Sequence, residues 1–510
     1  MAAASKRAFI SVWDKTGLPE LAVYLREQGY RIVSTGGSAR AIEAAGVAVE
    51  SVESIVGQPA LMGGRLKTLD GRIFGPILFD RDQASHRQDL ELLGQPPIDL
   101  VVVNLYPFAR LLNDGLSRAE MIEYIDIGGP GLLRAAAKNH RHVLVVGQTG
   151  HYDRLRQLID TYGEEIPLAH REALAAEVFQ LTAAYDQAIA GYFSAADDPL
   201  PAALNIHALL EQPLRYGENP HQQASFYLPP GSPLPWRQLH GSELSFNNYS
   251  DIDAARAIVA EFAEPAAVIV KHANPCGFGL GGTPLEAWRC ALSTDPLSSF
   301  GGIVAFNRPL DAATAAALAE LFLECIIAPG FDAEALERLR KKKPLRLLEA
   351  RPVEADRAVD IRSAAGGFLV QTRDAGEANQ DWSLATQREP EPQEMQALRL
   401  AWKMVRFVKS NAIVFANDVQ LLGVGAGQMS RVDAVRLAGL KAGQADLDLA
   451  GAVMASDAFF PFADGVSLAA EMGIRAVVQP GGSIRDAEVI AQADELGLSM
   501  LFTGRRHFRH

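Results

Sequence analysis

Residues 268 to 279, VIVKHANPCGFG, run from a β-branched stretch into Lys271, His272, Asn274, Pro275 and Cys276. Two chemistries are open to such a set. Histidine and cysteine are zinc ligands, and one kind of zinc site pairs a His-x-Glu motif with Pro-Cys-x-x-Cys farther along. The ligand count argues against it here: Asn274 stands where the glutamate would be, Pro-Cys follows at once, and no second cysteine lies three residues beyond Cys276. The alternative is acid/base chemistry without a metal. An imidazole with a pKa near ~6.5 moves protons at neutral pH, and Lys271 beside it can serve as electrophilic partner and proton donor.

A second group of polar clusters lies in the first 140 residues. Lys15 follows the apolar run at 8 to 12, Ser34, Thr35, Gly36 and Gly37 follow RIV, and GGRLKTL at 63 to 69 carries Arg65 and Lys67. NLYPF at 104 to 108 supplies Asn104 and Tyr106, and IDIGGPGLLRAAAKNH places Asp126 just before a glycine-opened helix bearing Arg134 and Lys138 four residues apart. Glycine lets a backbone approach closely and a helix start favours an anion, so these turns read as a phosphate cradle. They also read as plain strand-to-helix turns, and Arg134 with Lys138 as a solvated basic stripe.

These residues need a scaffold, and the first stretch alternates strand and helix signals. AFISV reads as a strand, and GLPELAVYLREQG as a helix with Leu18, Leu21, Ala22 and Leu25 on one face and Gly29 as its stop. RIVST, IDLVVVNLYPF and HVLVVG repeat the cycle, which predicts a parallel sheet with helices on both faces. In such sheets ligands bind where strands end. A long helix is expected from about 171 to 193, with Leu174, Val178, Leu181, Tyr185 and Ile189 at helical spacing. Domains are expected over 1–195 and 207–510, with a proline- and aspartate-bearing linker at 196–206. The later region reads as strands such as AAVIV and GGIVAF and helices such as LDAATAAALAELFLE, and its length predicts two subdomains. Lys341, Lys342 and Lys343 read as a solvated helix end.

Composition narrows the function. The chain has 510 residues, with 48 basic against 61 acidic ones and a net charge of −13. That balance opposes nucleic-acid binding, which needs a broad basic surface. No apolar run approaches a bilayer span, and MAAASKRAFISV has no extended apolar segment after its basic residues, so no membrane partner and a cytoplasmic address are expected. Cys276, Cys290 and Cys325 form no metal knuckle and fit a reducing compartment.

Taken in order, the early segments resemble the IMP cyclohydrolase domain of the bifunctional AICAR transformylase/IMP cyclohydrolase family, itself similar to methylglyoxal synthase. RYGENPHQ, LSFNNYSDIDAA, KHANPCG, DPLSSFGGIVAFN, KSNAIV, GVGAGQMSR, MASDAFFPFADG and QPGGSIRD, with the terminal RRHFRH, resemble its transformylase domain. The resemblance implies an α/β protein: an N-terminal methylglyoxal-synthase-like parallel-sheet domain and a C-terminal domain of two cytidine-deaminase-like α/β subdomains. It also implies formyl transfer from 10-formyltetrahydrofolate to AICAR, closure of the product to IMP, no bound cofactor or metal, and a homodimer. For ring closure it points to Ser11, Lys15, Ser34, Thr35 and Gly36 at the phosphate, Arg65, Thr68, Asn104 and Gly128 as further substrate contacts, and Lys67, Tyr106, Asp126 and Lys138 around the ring. For formyl transfer it makes His272 the base, Lys271 its partner and Asn411 an oxyanion donor. Arg215, Tyr216, Phe300, Gly301, Glu324, Phe459 and Arg506 would bind substrate.

Two departures fall beside the first site: the family usually reads KTLHP where this chain has KTLDG, and SVSDKTG where it has SVWDKTG. Asp70 thereby adds negative charge near the expected phosphate. Two rival functions are open to such a chain, a zinc-dependent nucleotide deaminase or cyclohydrolase and a nucleotide-binding sensor without turnover; the Lys271-His272 pair speaks against the sensor.

Overall fold

The computed structural model describes residues 6–112, 114–194, 200–351, 359–376 and 381–510. The chain forms two compact units, Met1–Asn205 and Ile206–His510. Residues 195–199 of the expected linker region lie outside the described residues.

In the first unit, β1 (Arg7–Val12), β2 (Arg31–Ser34), β3 (Val49–Ser51), β4 (Leu100–Asn104) and β5 (Leu144–Val146) form one sheet. Its order is β3-β2-β1-β4-β5, and every pairing is parallel. Such strands are covered on both faces, which is why Ala8, Phe9, Ile10 and Val101 to Val103 are buried in succession. The chain winds outward from β1 and then returns to its other side as β4, so the ends of β1 and β4 flank the switch point where a crevice opens. The helix Leu18–Glu27 buries the four residues its spacing predicts, and Gly29 follows it at φ +84°. The long helix begins at Leu168, after Pro167, and runs to Phe193.

The second unit opens with a hairpin of β6 (Leu209–Leu214) and β7 (Ala224–Leu228). Then come β8 (Trp236–His240), β9 (Ala266–Lys271), β10 (Asn274–Leu280), β11 (Ile303–Phe306), β12 (Cys325–Ala328) and β13 (Arg346–Ala350), in the order β10-β9-β11-β12-β13-β8. A second hairpin joins β14 (Val359–Ala364) to β15 (Gly367–Thr372). Finally β16 (Ser383–Leu384), β17 (Ile413–Ala416), β18 (Leu421–Gly425), β19 (Val453–Ser456), β20 (Ala476–Gln479) and β21 (Ser499–Phe502) lie in the order β18-β17-β19-β20-β21-β16. Strand for strand, the two sheets share one topology, including which neighbours are parallel.

The halves meet along β10 and β18, where Gly279 bridges Gln420 and the Leu280 N–H donates to the Val419 carbonyl at 2.7 Å. Both strands carry Gly-x-Gly for one reason. A Cβ at Gly277 would lie 2.1 Å from the Ala291 oxygen of the next helix, and one at Gly425 would lie 1.9 Å from that of Ala434. Helices Phe246–Val259 and Pro392–Val405 share one core with residues of both sheets, including Val268, Val270, Val414 and Val478.

Two local expectations need correction. The segment expected as the helix LDAATAAALAELFLE is helical only over Ala312–Leu318, because the residues after it bury Leu323 and lead directly into β12. Lys342 is not a solvated helix end: its ammonium donates to the Leu321 carbonyl at 2.8 Å.

Candidate functional site

In the first unit a cavity of about 640 Å³ opens at the switch point. Ser11, Lys15, Thr35, Gly36, Arg65, Lys67, Thr68, Asn104, Tyr106, Asp126 and Gly128 all line it. One end is built for an anion. Gly36, at φ +53°, begins the helix Gly36–Ala44, and a Cβ there would lie 2.8 Å from the Lys67 ammonium nitrogen. A Cβ at Gly37 would lie 3.3 Å from Lys15 Cε. Two ammonium groups therefore approach one helix start, where free N–H groups already favour negative charge. Glu53, which sequence reasoning missed, steadies this end: it sits 3.6 Å from Lys67 and accepts from the Thr35 hydroxyl at 3.3 Å. Asn104 ties β4 to the loop after β1, accepting the Trp13 and Asp14 N–H groups and donating to the Asp14 carbonyl.

Asp126 and Tyr106 line the same cavity. The Tyr185 hydroxyl, from the long helix, accepts the Asp126 N–H and donates to the Tyr124 carbonyl, fixing the turn. Asp126 Oδ1 accepts the Gly129 N–H at 2.8 Å. No side chain fits at 129, since a Cβ would lie 2.3 Å from the Asp126 carboxylate. Burial pushes the Asp126 carboxyl above the ordinary carboxylate range, partly offset by that N–H. Burial, with the nearby Asp126 charge, also raises the Tyr106 hydroxyl. One cavity thus brings together two ammonium groups at a helix start and two acid groups whose proton affinity burial has raised.

Several expected residues are placed otherwise. The Ser34 hydroxyl is fully buried and donates to the Ile10 carbonyl at 2.7 Å, so it does not face the cavity; Ser38, on the next helix, lines it instead. Lys138 ends the helix Gly128–Lys138, about 15 Å along its axis from the cavity end. It is solvent-exposed, and Arg134 covers the Phe179 ring at 5.4 Å. Asp70 is not a cavity charge: its carboxylate caps the helix Gly71–Leu78, accepting the Arg72 N–H at 2.8 Å. Trp13, the other departure, does line the cavity. Arg65 is paired with Glu123, another lining residue the sequence reading passed over.

In the second unit the β9–β10 turn gathers a different set. Lys271 donates to the Phe300 carbonyl at 2.9 Å, and Gly301, at φ +74°, donates its N–H to the Phe322 carbonyl at 2.8 Å. His272 and Ala273 follow with φ of +54° and +57°. Asn274 Oδ1 accepts the Lys409 N–H at 2.9 Å, which brings the turn against the segment carrying Asn411. There Arg431 donates to Asn411 Oδ1 at 3.0 Å and pairs with the fully buried Asp457. The Asn411 amide nitrogen donates to the Gln428 and Met429 carbonyls. Arg431 and Asp457 were quoted within motifs but not singled out.

The terminal segment is packed down: the Arg509 N–H donates to Ser410 Oγ at 3.0 Å, and His507 is buried with a 2.6 Å contact to Asp374. Arg506 is exposed over the Phe508 ring. Asn248 donates to Glu324 at 2.9 Å, Arg215 donates to the Tyr216 hydroxyl beneath it, and Phe459 is exposed. No hydrogen bond joins these groups to His272. Cys276 is no ligand in waiting: its thiol packs with Ala267 and Ile269, and burial pushes it up to about 12.

The family described as AICARFT/IMPCHase bienzyme matches residues 136–441, and the MGS-like domain matches residues 17–131. Proteins named bifunctional purine biosynthesis protein PurH from Synechocystis, Shouchella clausii and Enterococcus faecalis are 48%, 49% and 49% identical to the chain. Each alignment covers 99% of this chain and all of the relative. No described helix is long and apolar enough to cross a membrane. The chain belongs to the AICARFT/IMPCHase bienzyme family and is a bifunctional purine-biosynthesis enzyme, an AICAR transformylase and IMP cyclohydrolase.

Proposed function

We propose that the two activities divide between the two expected domains, with ring closure in 1–195 and formyl transfer in 207–510, and with 10-formyltetrahydrofolate as the formyl donor. The observation that carries the first assignment is the single cavity lined both by Lys15 and Lys67, beside one helix start, and by Asp126 and Tyr106. The phosphate of formyl-AICAR binds at the cationic end, beside Thr35 and Gly36. Its carboxamide and formyl groups then reach Asp126, Tyr106 and the Gly128 helix start. Ring closure joins the carboxamide nitrogen to the formyl carbon; one proton leaves that nitrogen, a second leaves the formamido nitrogen as its C=N bond forms, and the formyl oxygen departs with both as water. Burial raises the proton affinity of the Asp126 carboxylate, which suits it to accept such a proton.

In the second unit the amine of AICAR attacks the formyl carbon, and the folate nitrogen leaves with a proton. His272 accepts the amine proton, and Lys271 stabilises the tetrahedral oxygen and supplies the leaving-group proton. Asn411 acts as an oxyanion donor only if its amide releases one of the two carbonyls it now serves. The family resemblance supports a homodimer whose transformylase sites draw on both chains, with Arg215, Tyr216, Phe300, Gly301, Glu324, Phe459 and Arg506 as nucleotide and folate contacts. Given AICAR and 10-formyltetrahydrofolate, Lys67→Ala is expected to accumulate formyl-AICAR without IMP, read by absorbance. IMP formation at the wild-type rate would remove the cavity from ring closure.

A further inference from the structure

Around the β9–β10 turn, Asp251 is the charged group to which no task has been given. It lies on the helix Phe246–Val259, and its Oδ1 accepts the Ala273 N–H at 2.6 Å. The residues it meets are unusual, because His272 and Ala273 are successive left-handed residues and neither is glycine. Each costs about 1–2 kcal/mol in that region, so the turn must be held from outside. Lys271 is anchored on the Phe300 carbonyl and Asn274 on the Lys409 N–H. Asp251 holds the stretch between them.

Its helix is a firm base. Ser245 and Asn248 close a capping box at its start, Asn248 also donates to Glu324, and Ile252, Ala255 and Ile258 are fully buried. The carboxyl pays for its place: burial pushes it above the ordinary range, opposed by the Ala273 N–H, the His272 imidazole and the His272 backbone. A desolvated acid whose compensating partners belong to one turn is placed to fix that turn.

We propose that Asp251 is a positioning residue for formyl transfer: by clamping the left-handed His272–Ala273 pair, it sets the direction of the imidazole relative to Lys271. This rests on His272 being the base. The full-length protein is assayed for both reactions. Asp251→Ala should lower kcat for formyl transfer roughly 100-fold, the scale of a 1 Å misplacement, with KM for AICAR within about threefold and ring closure unchanged. Asp251→Asn keeps an acceptor oxygen and should stay within about fivefold of wild type. Adding Ala273→Gly to Asp251→Ala should recover at least about fivefold, because glycine adopts positive φ freely.

Wild-type kcat in Asp251→Ala would overturn the proposal, as would Asp251→Asn being equally damaged or glycine giving no recovery. If Asp251→Ala does not fold, Asp251→Leu, which also lacks an acceptor oxygen, alone and with Ala273→Gly, decides by the same criteria. His272→Ala separates the two levels. If it keeps formyl transfer, the base assignment is wrong; if it is inactive while Asp251→Ala is fully active, only the positioning role falls.

Discussion

The two halves of the second unit have the same strand order, the same Gly-x-Gly strand and the same helix pressed onto it, yet they are equipped differently. The β9–β10 turn carries Lys271 and His272 on a left-handed backbone held by Asp251. Its counterpart between β17 and β18 is Asn417 to Gln420, a turn that closes on itself: Asn417 Oδ1 accepts the Val419 and Gln420 N–H groups at 3.0 and 2.8 Å. A difference of the opposite sense lies at the other end of the central strands. After β11, neutral Asn307 accepts the Ala266 N–H and donates to the Phe262 and Glu264 carbonyls. After β19, in the matching position, Asp457 is fully buried, paired with Arg431 and bonded by Ser410. Because β10 and β18 run antiparallel, the equipped turn of one half meets the equipped strand start of the other. Among the described residues, the paired end, Asn417 to Gln420 with the start of β9, has no Lys-His pair like Lys271-His272. The scaffold occurs twice, and the groups proposed for formyl transfer lie at one end of the shared seam.

The comparison predicts unequal costs. Arg431→Met leaves the Asp457 carboxylate buried without its cation, and breaking such a pair costs about 3–5 kcal/mol. Urea unfolding should show that loss, whereas Asn307→Ala, which removes only neutral hydrogen bonds, should cost about 2 kcal/mol. Equal losses would mean that the Asp457 charge matters no more than the Asn307 amide. Asn417→Ala should cost about 1 kcal/mol and leave formyl transfer at its wild-type rate; a large fall in kcat would show that the second turn is not idle.

A pH dependence in the first unit is the finest of these effects. The folded protein holds the Asp126 proton more tightly than the unfolded chain does, because burial raises this carboxyl. Its contribution to stability therefore falls as pH rises from the ordinary carboxylate range through the raised folded value, and levels off above it. Asp126→Asn keeps the acceptor for Gly129 but has no proton to lose. Its melting temperature should gain on wild type across that window; a constant difference would contradict the assignment.

Much of this was legible in the chain. Continuous apolar runs gave the parallel sheet, since strands covered on both faces have no polar alternation, and Leu18, Leu21, Ala22 and Leu25 sit where 3.6-residue spacing puts them. The two similar halves were expected from the family resemblance; the residues alone show them only in short echoes, such as GFG at 277 to 279 with GVG at 423 to 425 and APG at 328 to 330 with QPG at 479 to 481, because their common signal is strand order rather than residue identity. Residues whose type and turn both pointed to a ligand, such as Lys67 and Asp126, line the cavity. The Ser34 hydroxyl and Lys138 lie off its lining, and residue type cannot tell which way a hydroxyl faces or how far along a helix a cavity extends. Glu53, Asp251 and Asp457 act through hydrogen bonds to distant backbone or to other side chains, which no local spacing announces.

That the β9–β10 turn serves formyl transfer and its counterpart between β17 and β18 does not can be read in a single assay. His272→Ala and Asn417→Ala proteins are each given AICAR with 10-formyltetrahydrofolate and, separately, formyl-AICAR, and both reactions are followed by absorbance. His272→Ala should lose formyl transfer by about 10³-fold, within the range for removing a general base, while closing formyl-AICAR at the normal rate; Asn417→Ala should retain both reactions. Formyl transfer near the wild-type rate in His272→Ala would contradict the account.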